Sequence, residues 1–261
     1  MTEASTVLGR SALRAGRIGL SAGYGRQLSP AMVERCFEEG INYLYWGSLR
    51  RASFGRALVN LKPWRERVVL VLQSYSRVAS LMQGSVERAL RRIGYDYSDV
   101  LLLGMWNRGV PERIFDAARR TRDRGLVKHI AISSHNRRLI PRLADNRDID
   151  ILHVRYNAAH TGAETEVFPH LQQEGARPGV VVFTATSWAQ LLGPKRAPAG
   201  ERVPSATDCY RFVLSNSSVD VCMTGPRDDE QAKAALEALR LGPLNDEEIA
   251  WMRRVGKAVH S

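Results

Sequence analysis

Cysteine is scarce in this chain, and long apolar runs are missing altogether. Cys36, Cys209 and Cys222 are far apart and fit neither a metal motif nor a disulfide framework. Each lies in an apolar context, so buried packing is the expected role. No stretch approaches the ~18 consecutive apolar residues that cross a bilayer, so no membrane partner is expected. The opening MTEASTVLGRSALRAG has no apolar h-region, which argues against a secretory leader and for the cytoplasm. No repeat, low-complexity tract or linker stands out, and residues 1–261 read as one domain. A G-x-G-x-x-G phosphate loop is also missing, because the first strand-to-helix turn reads SAGYGRQLS.

What is plentiful is positive charge. The 261 residues carry a formal charge of +11, which favours anionic partners without choosing among them. Much of it is arginine scattered over predicted helices (Arg88, Arg91, Arg92, Arg119, Arg120, Arg122, Arg124). That pattern reads as a solvated surface, and no nucleic-acid motif accompanies it. The expected partner is a small, polar or anionic molecule; oligomeric state is not legible.

Short β-branched or Leu-rich runs recur, each followed by a helical pattern. They begin RIGLSAG at 17, INYLYW at 41, RVVLVLQ at 67, DVLLLGM at 99, KHIAISS at 128, DILHVRY at 150, GVVVFTA at 179 and VDVCMTG at 219. Several are continuously apolar, as in parallel strands covered on both faces. Between them, SVERALRRIG (85–94) places Val86, Leu90 and Ile93 on one helical face. PAMVERCFEEG, ERIFDAARRTRDRG and EQAKAALEALRLG all close on glycine. Eight strands alternating with helices predict an α/β fold, a (β/α)8 TIM barrel, rather than an open doubly wound sheet. A hairpin around Leu8 to Gly16 is expected to plug the barrel bottom. LNDEEIAWMRRVGKAVH predicts an extra C-terminal helix with Asn245 and Glu248 in a capping box.

In such barrels the active site lies at the C-terminal strand ends. Those ends supply Tyr24, Tyr45, Trp46, Gln73, Tyr75, Trp106, Asn107, Ser133, Ser134, His135, His153, Arg155, Asn157, Phe183, Thr224, Gly225 and Arg227. This mouth is aromatic, basic and poor in carboxylates, which suits a planar or anionic ligand held by stacking and by Arg or His. Trp46, Trp106 and Trp188 read equally well as caps on the core. Arg155 is costly to bury alone, so either Glu164 pairs with it or an anionic substrate does. His135, His153 and His160 match no ligand spacing, and no metal is expected.

Four stretches resemble the aldo-keto reductase superfamily. They are GIN at 40–42 with FGRAL at 54–58, SVERALRRIGYDYSDVLLL at 85–103, GLVKHIAISSHN at 125–136 and MTGPRDDEQ at 223–231. Their order and spacing cover nearly the whole chain. The resemblance implies a barrel with a nicotinamide cofactor, usually NADP(H), across its mouth. It also implies where the usual Asp, Tyr, Lys and His should stand, and this chain differs at each. Tyr45 replaces the Asp, Arg50 or Arg51 the Tyr, Gln73 the Lys and Gly104 the His. Ser133 matches the serine that holds the nicotinamide amide. Ser134, His153 and Phe183 fall where an Asn, a Gln and the stacking Tyr are expected, while Thr224, Gly225 and Arg227 match the phosphate-facing segment.

Three functions compete on these residues. The first is an NADP(H)-linked oxidoreductase with Tyr45 or Tyr75 as proton donor beside Gln73. Its substrate would be held by Trp46, Trp106, Asn107, His135, Arg155 and Asn157. The others are a non-redox lyase, dehydratase or isomerase in the same mouth, and a catalytically silent binding protein. The first is taken as the expectation.

Overall fold

The computed structural model describes residues 4–22, 28–47, 50–171 and 177–260. A hairpin of β1 (Ser5–Val7) and β2 (Arg14–Gly16) leads into β3 (Ile18–Ser21), α1 (Pro30–Glu38), β4 (Tyr43–Gly47) and α2 (Ala52–Asn60). Next come β5 (Val69–Ser74), α3 (Ser80–Ile93), β6 (Ser98–Leu103), α4 (Glu112–Asp123), β7 (Val127–Ser134) and α5 (Ile140–Asp145). The chain ends with β8 (Ile151–Arg155), α6 (Ala163–Glu166), β9 (Gly179–Phe183), α7 (Ala206–Leu214), β10 (Val221–Thr224), α8 (Asp229–Leu241) and α9 (Asp246–His260). Strands β3 to β10 pair in parallel and in chain order, and β10 closes on β3. This is the (β/α)8 barrel, with every strand where the apolar runs placed it.

Alternation along the strands divides the core in two. One set of side chains fills the barrel: Tyr43, Val69, Val71, Val100, Leu102, Ala131, Ile151, Val181, Val221 and Met223. The other set, including Leu44, Leu70, Leu101, Ile132 and Leu152, packs outward against the helices. Gly19 has no side chain because Tyr43 and Met223 fill its place. The hairpin plugs the bottom as expected, with fully buried Leu8 joining the interior cluster. At this end a carboxylate latches alternate strand pairs. Asp99, Asp150 and Asp220 accept the backbone N–H of Leu70 (2.8 Å), Ile130 (3.1 Å) and Val180 (2.8 Å) on the preceding strand. Arg177 grips Asp220 with two nitrogens at 2.7 and 2.8 Å.

The helices follow their patterns. Val86, Leu90 and Ile93 are buried, and α3 closes on Gly94 at φ +68°. Asn245 Oδ1 accepts Glu248 N–H and Glu248 accepts Asn245 N–H, both at 2.9 Å, which is the capping box. All three cysteines are buried and unpaired. No described helix is long and apolar enough to cross a membrane.

Candidate active site

The alternation that builds the barrel interior also selects the mouth. Inward positions at the strand tops are Tyr45, Gln73, Ser133, Arg155 and Phe183, continuing the rows that begin at Tyr43, Val71, Ala131, Ile151 and Val181. Tyr45 lies over Gly47, whose missing side chain leaves room for its ring; a Cβ there would stand 2.9 Å from Cε1 and 3.2 Å from the hydroxyl. Gln73 and Tyr75 converge on Gly104, where a Cβ would meet the Gln73 amide nitrogen and sit 2.6 Å from the Tyr75 ring. Gly104 is therefore part of the cradle. Gln73 is buried, and its Oε1 has no hydrogen-bond partner.

Across the mouth, Ser133 Oγ accepts the Met105 N–H at 2.9 Å and keeps its own proton to donate. The Phe183 and His135 rings stand 5.4 Å apart. Arg155 pairs in register with Phe183, and its Nε is buried without a partner. Burial lowers its pKa, as does the nearby Arg137 charge. His135 and His160 are also held below the usual imidazole value, first by burial and then by Arg155. Glu164 does not answer this charge: it accepts from Tyr156 Oη (2.6 Å) and from Arg253 (2.9 and 3.1 Å). Arg137 is already paired with Glu166 at 2.8 Å.

Several expected contacts lie elsewhere, mostly because consecutive strand residues cannot face the same way. Trp46 points outward, buried against α2 at Gly55, with its indole N–H on Arg51 O at 3.0 Å. Ser134 faces away from the barrel and, with Asn107, braces the loop: Asn107 Oδ1 accepts Ser134 Oγ–H (3.3 Å) and His135 N–H (2.8 Å). Asn157 is buried and spent on its own turn, donating to Thr184 O and accepting from Ala159 and His160. Thr224 turns its hydroxyl to Gly19 O at 2.9 Å. His153 does lie inside the barrel, but its Nε2 bonds Tyr43 Oη at 2.9 Å, beneath the mouth. Burial drives the pKa of this imidazole down to about 3. Trp106 is buried under the Arg77 guanidinium, 3.5 Å from its ring centroid, and is a core cap. Trp188, by contrast, is 72 % exposed and caps nothing. Tyr24 lies outside the described residues.

Arg50 donates to Ser85 Oγ on α3 at 2.8 Å, so it turns toward the helix layer. Arg77, which clamps the Gly104 and Met105 carbonyls at 3.2 and 2.8 Å, had no signal in the sequence beyond its position after β5. At the remaining edge, Gly225 and Arg227 are exposed where β10 leads into α8. The nearby acids are engaged: Asp228 caps the helix on Gln231 N–H (2.9 Å), and Asp229 holds Ser29 through N–H and hydroxyl (2.9 and 2.6 Å). Among the described residues, no group of three or more His, Cys, Asp or Glu is arranged to hold a metal ion.

A closed parallel barrel with an aromatic and cationic mouth at its C-terminal strand ends defines the class. The aldo/keto reductase family model matches residues 20–190, and the chain belongs to that family. Its fold is similar to that of an aldo-keto reductase from Bacillus halodurans in its holo form, with a TM-score of 0.79 and 21% identity over 97% of this chain and 96% of that one. It is similar as well to an aldo/keto reductase from Klebsiella pneumoniae in complex with NADP and acetate, with a TM-score of 0.78 and 21% identity over 97% and 95% of the chains.

Proposed function

We propose that the barrel mouth binds NADP(H) and reduces a carbonyl on a small polar or anionic metabolite, with a proton donor other than the family's usual set. The observation that carries this reading is the top inward row, where buried Gln73 Oε1 and Arg155 Nε lack partners. A folded interior leaves few such atoms, and at an open strand end a ligand or an ordered water is their natural partner. Family membership supports the chemical class, and the Klebsiella pneumoniae relative with NADP supports the cofactor.

The residues fit the cofactor. Ser133 has a proton to donate, Phe183 offers a partly open π-face, and Arg227 is an exposed cation beside a helix start. A 2′-phosphate on Arg227 and a ring against Phe183 use these groups without displacing an existing bond. When bound, NADP(H) supplies the hydride. The chain's part is to place the carbonyl and deliver a proton to its oxygen. Tyr75, which meets Gln73 over Gly104, and Tyr45, on the inward row of the neighbouring strand, are the candidate donors. Gln73 carries no charge, so it positions by hydrogen bonding and cannot draw down a phenol's pKa as a cation does.

Single-turnover reduction of a panel of small oxo compounds tests this, with Tyr45→Phe and Tyr75→Phe compared. The donor's variant is expected to lose about 100-fold or more in rate while NADPH affinity holds. Wild-type rates in both single variants and in the double variant contradict it.

A further inference from the structure

We infer that Arg155 anchors a monoanion subsite in the barrel mouth, so that the molecule bound there carries a carboxylate beside its reacting carbonyl. This deepens the reductase reading and rests on it only for the carbonyl.

Arg155 ends β8 on the inward row and meets Phe183 in register at the end of β9. Among the described residues it has no ion pair, and its Nε is shut off from solvent with nothing to bond. The acids that could answer it are committed, Glu164 to Tyr156 and Arg253, Glu166 to Arg137. His135 and His160 feel the Arg155 charge and are pushed toward the neutral form, behind the effect of burial. One uncompensated positive charge is left facing inward. A partly buried cation without a partner is expensive, and a planar carboxylate meeting two guanidinium N–H groups relieves that cost. The charge balance selects the ligand. Arg137 bears on this charge but is paired with Glu166 at 2.8 Å, so among the described residues Arg155 is the one cation here with its fork free, which a monoanionic carboxylate matches more closely than a phosphate dianion. The His135 ring stands 5.4 Å from that of Phe183, so the subsite adjoins the ring face that the cofactor would use.

Isothermal titration with oxamate, its neutral counterpart oxamide and inorganic phosphate tests the subsite on the full chain, with and without NADP+. Oxamate is expected to bind at least tenfold more tightly than either comparator. Arg155→Met should weaken oxamate by about 100-fold, and Arg155→Lys, which keeps charge but loses the fork, by about tenfold. Arg155→Met should leave the thermal midpoint level or higher, because it removes an unpaired cation; a fall would mark a structural residue and count against the subsite. Absent oxamate binding in the wild type, unchanged binding in Arg155→Met, or tighter binding of oxamide or phosphate each overturns it. NADPH titration of the same variants separates the two readings: loss of NADPH binding in the wild type defeats the cofactor while the oxamate result still decides the subsite.

Discussion

Tyr43 and His153 show how an interior polar pair is set by burial. They sit beneath the mouth, joined at 2.9 Å, with no acid to favour the imidazolium. The imidazole's pKa falls from its ordinary 6.5 to about 3 in the folded chain. Between these values the unfolded chain binds a proton that the folded chain refuses. Stability from this residue is therefore whole above pH 6.5 and is lost as pH falls toward 3, at about 1.4 kcal/mol per pH unit. Urea unfolding between about pH 7 and pH 4.5 should show wild type losing that much more per unit than His153→Gln. Parallel slopes would mean that the folded protein protonates His153. Much of the mouth was legible at this scale, since Tyr45, Gln73, Arg155 and Phe183 lie where the strand ends put them. Adjacent residues at a strand end look alike in sequence but face opposite ways. Tyr45 with Trp46, and Ser133 with Ser134, are adjacent at strand ends, and alternation sends the second of each pair outward. Asn157 and Thr224 failed for another reason: their polar groups satisfy local backbone, which a sequence pattern does not reveal.

The elements were read almost whole. Apolar runs marked all eight barrel strands because parallel strands buried on both faces need continuous hydrophobicity. Glycine marked the ends of α3 and α8, where the chain turns through φ +68° and +69°. The carboxylate latches leave no local pattern in the sequence, since Asp99, Asp150 and Asp220 act across 20 to 40 residues. Asp220 joins β9 to β10 and neutralises Arg177, whose pKa it raises. Asp220→Ala leaves the Val180 N–H without its side-chain acceptor and Arg177 without its carboxylate, with only Pro178 O at 3.2 Å to bond, and should destabilise the fold by about 3 kcal/mol in urea unfolding. A loss below about 1 kcal/mol would show that the latch contributes little. NADPH affinity should be unchanged, because the latch is at the barrel's bottom face.

Across the whole molecule, carboxylates and cations are balanced differently at the two ends. At the bottom, Asp99 and Asp220 are paired with Arg65 and Arg177, at 2.8 and 2.7 Å. At the top, Arg155 has no ion pair among the described residues, and Glu164 and Glu166 are engaged by Arg253 and Arg137. An anionic group at the mouth would restore that balance. Intrinsic tryptophan fluorescence, with Trp188 exposed, reads NADP(H) binding at this mouth directly. Titration with NADPH should give saturable quenching in the micromolar range, weakened about tenfold by Arg227→Ala, while NADH is indifferent to that change. No saturable response up to about 1 mM NADPH would contradict it.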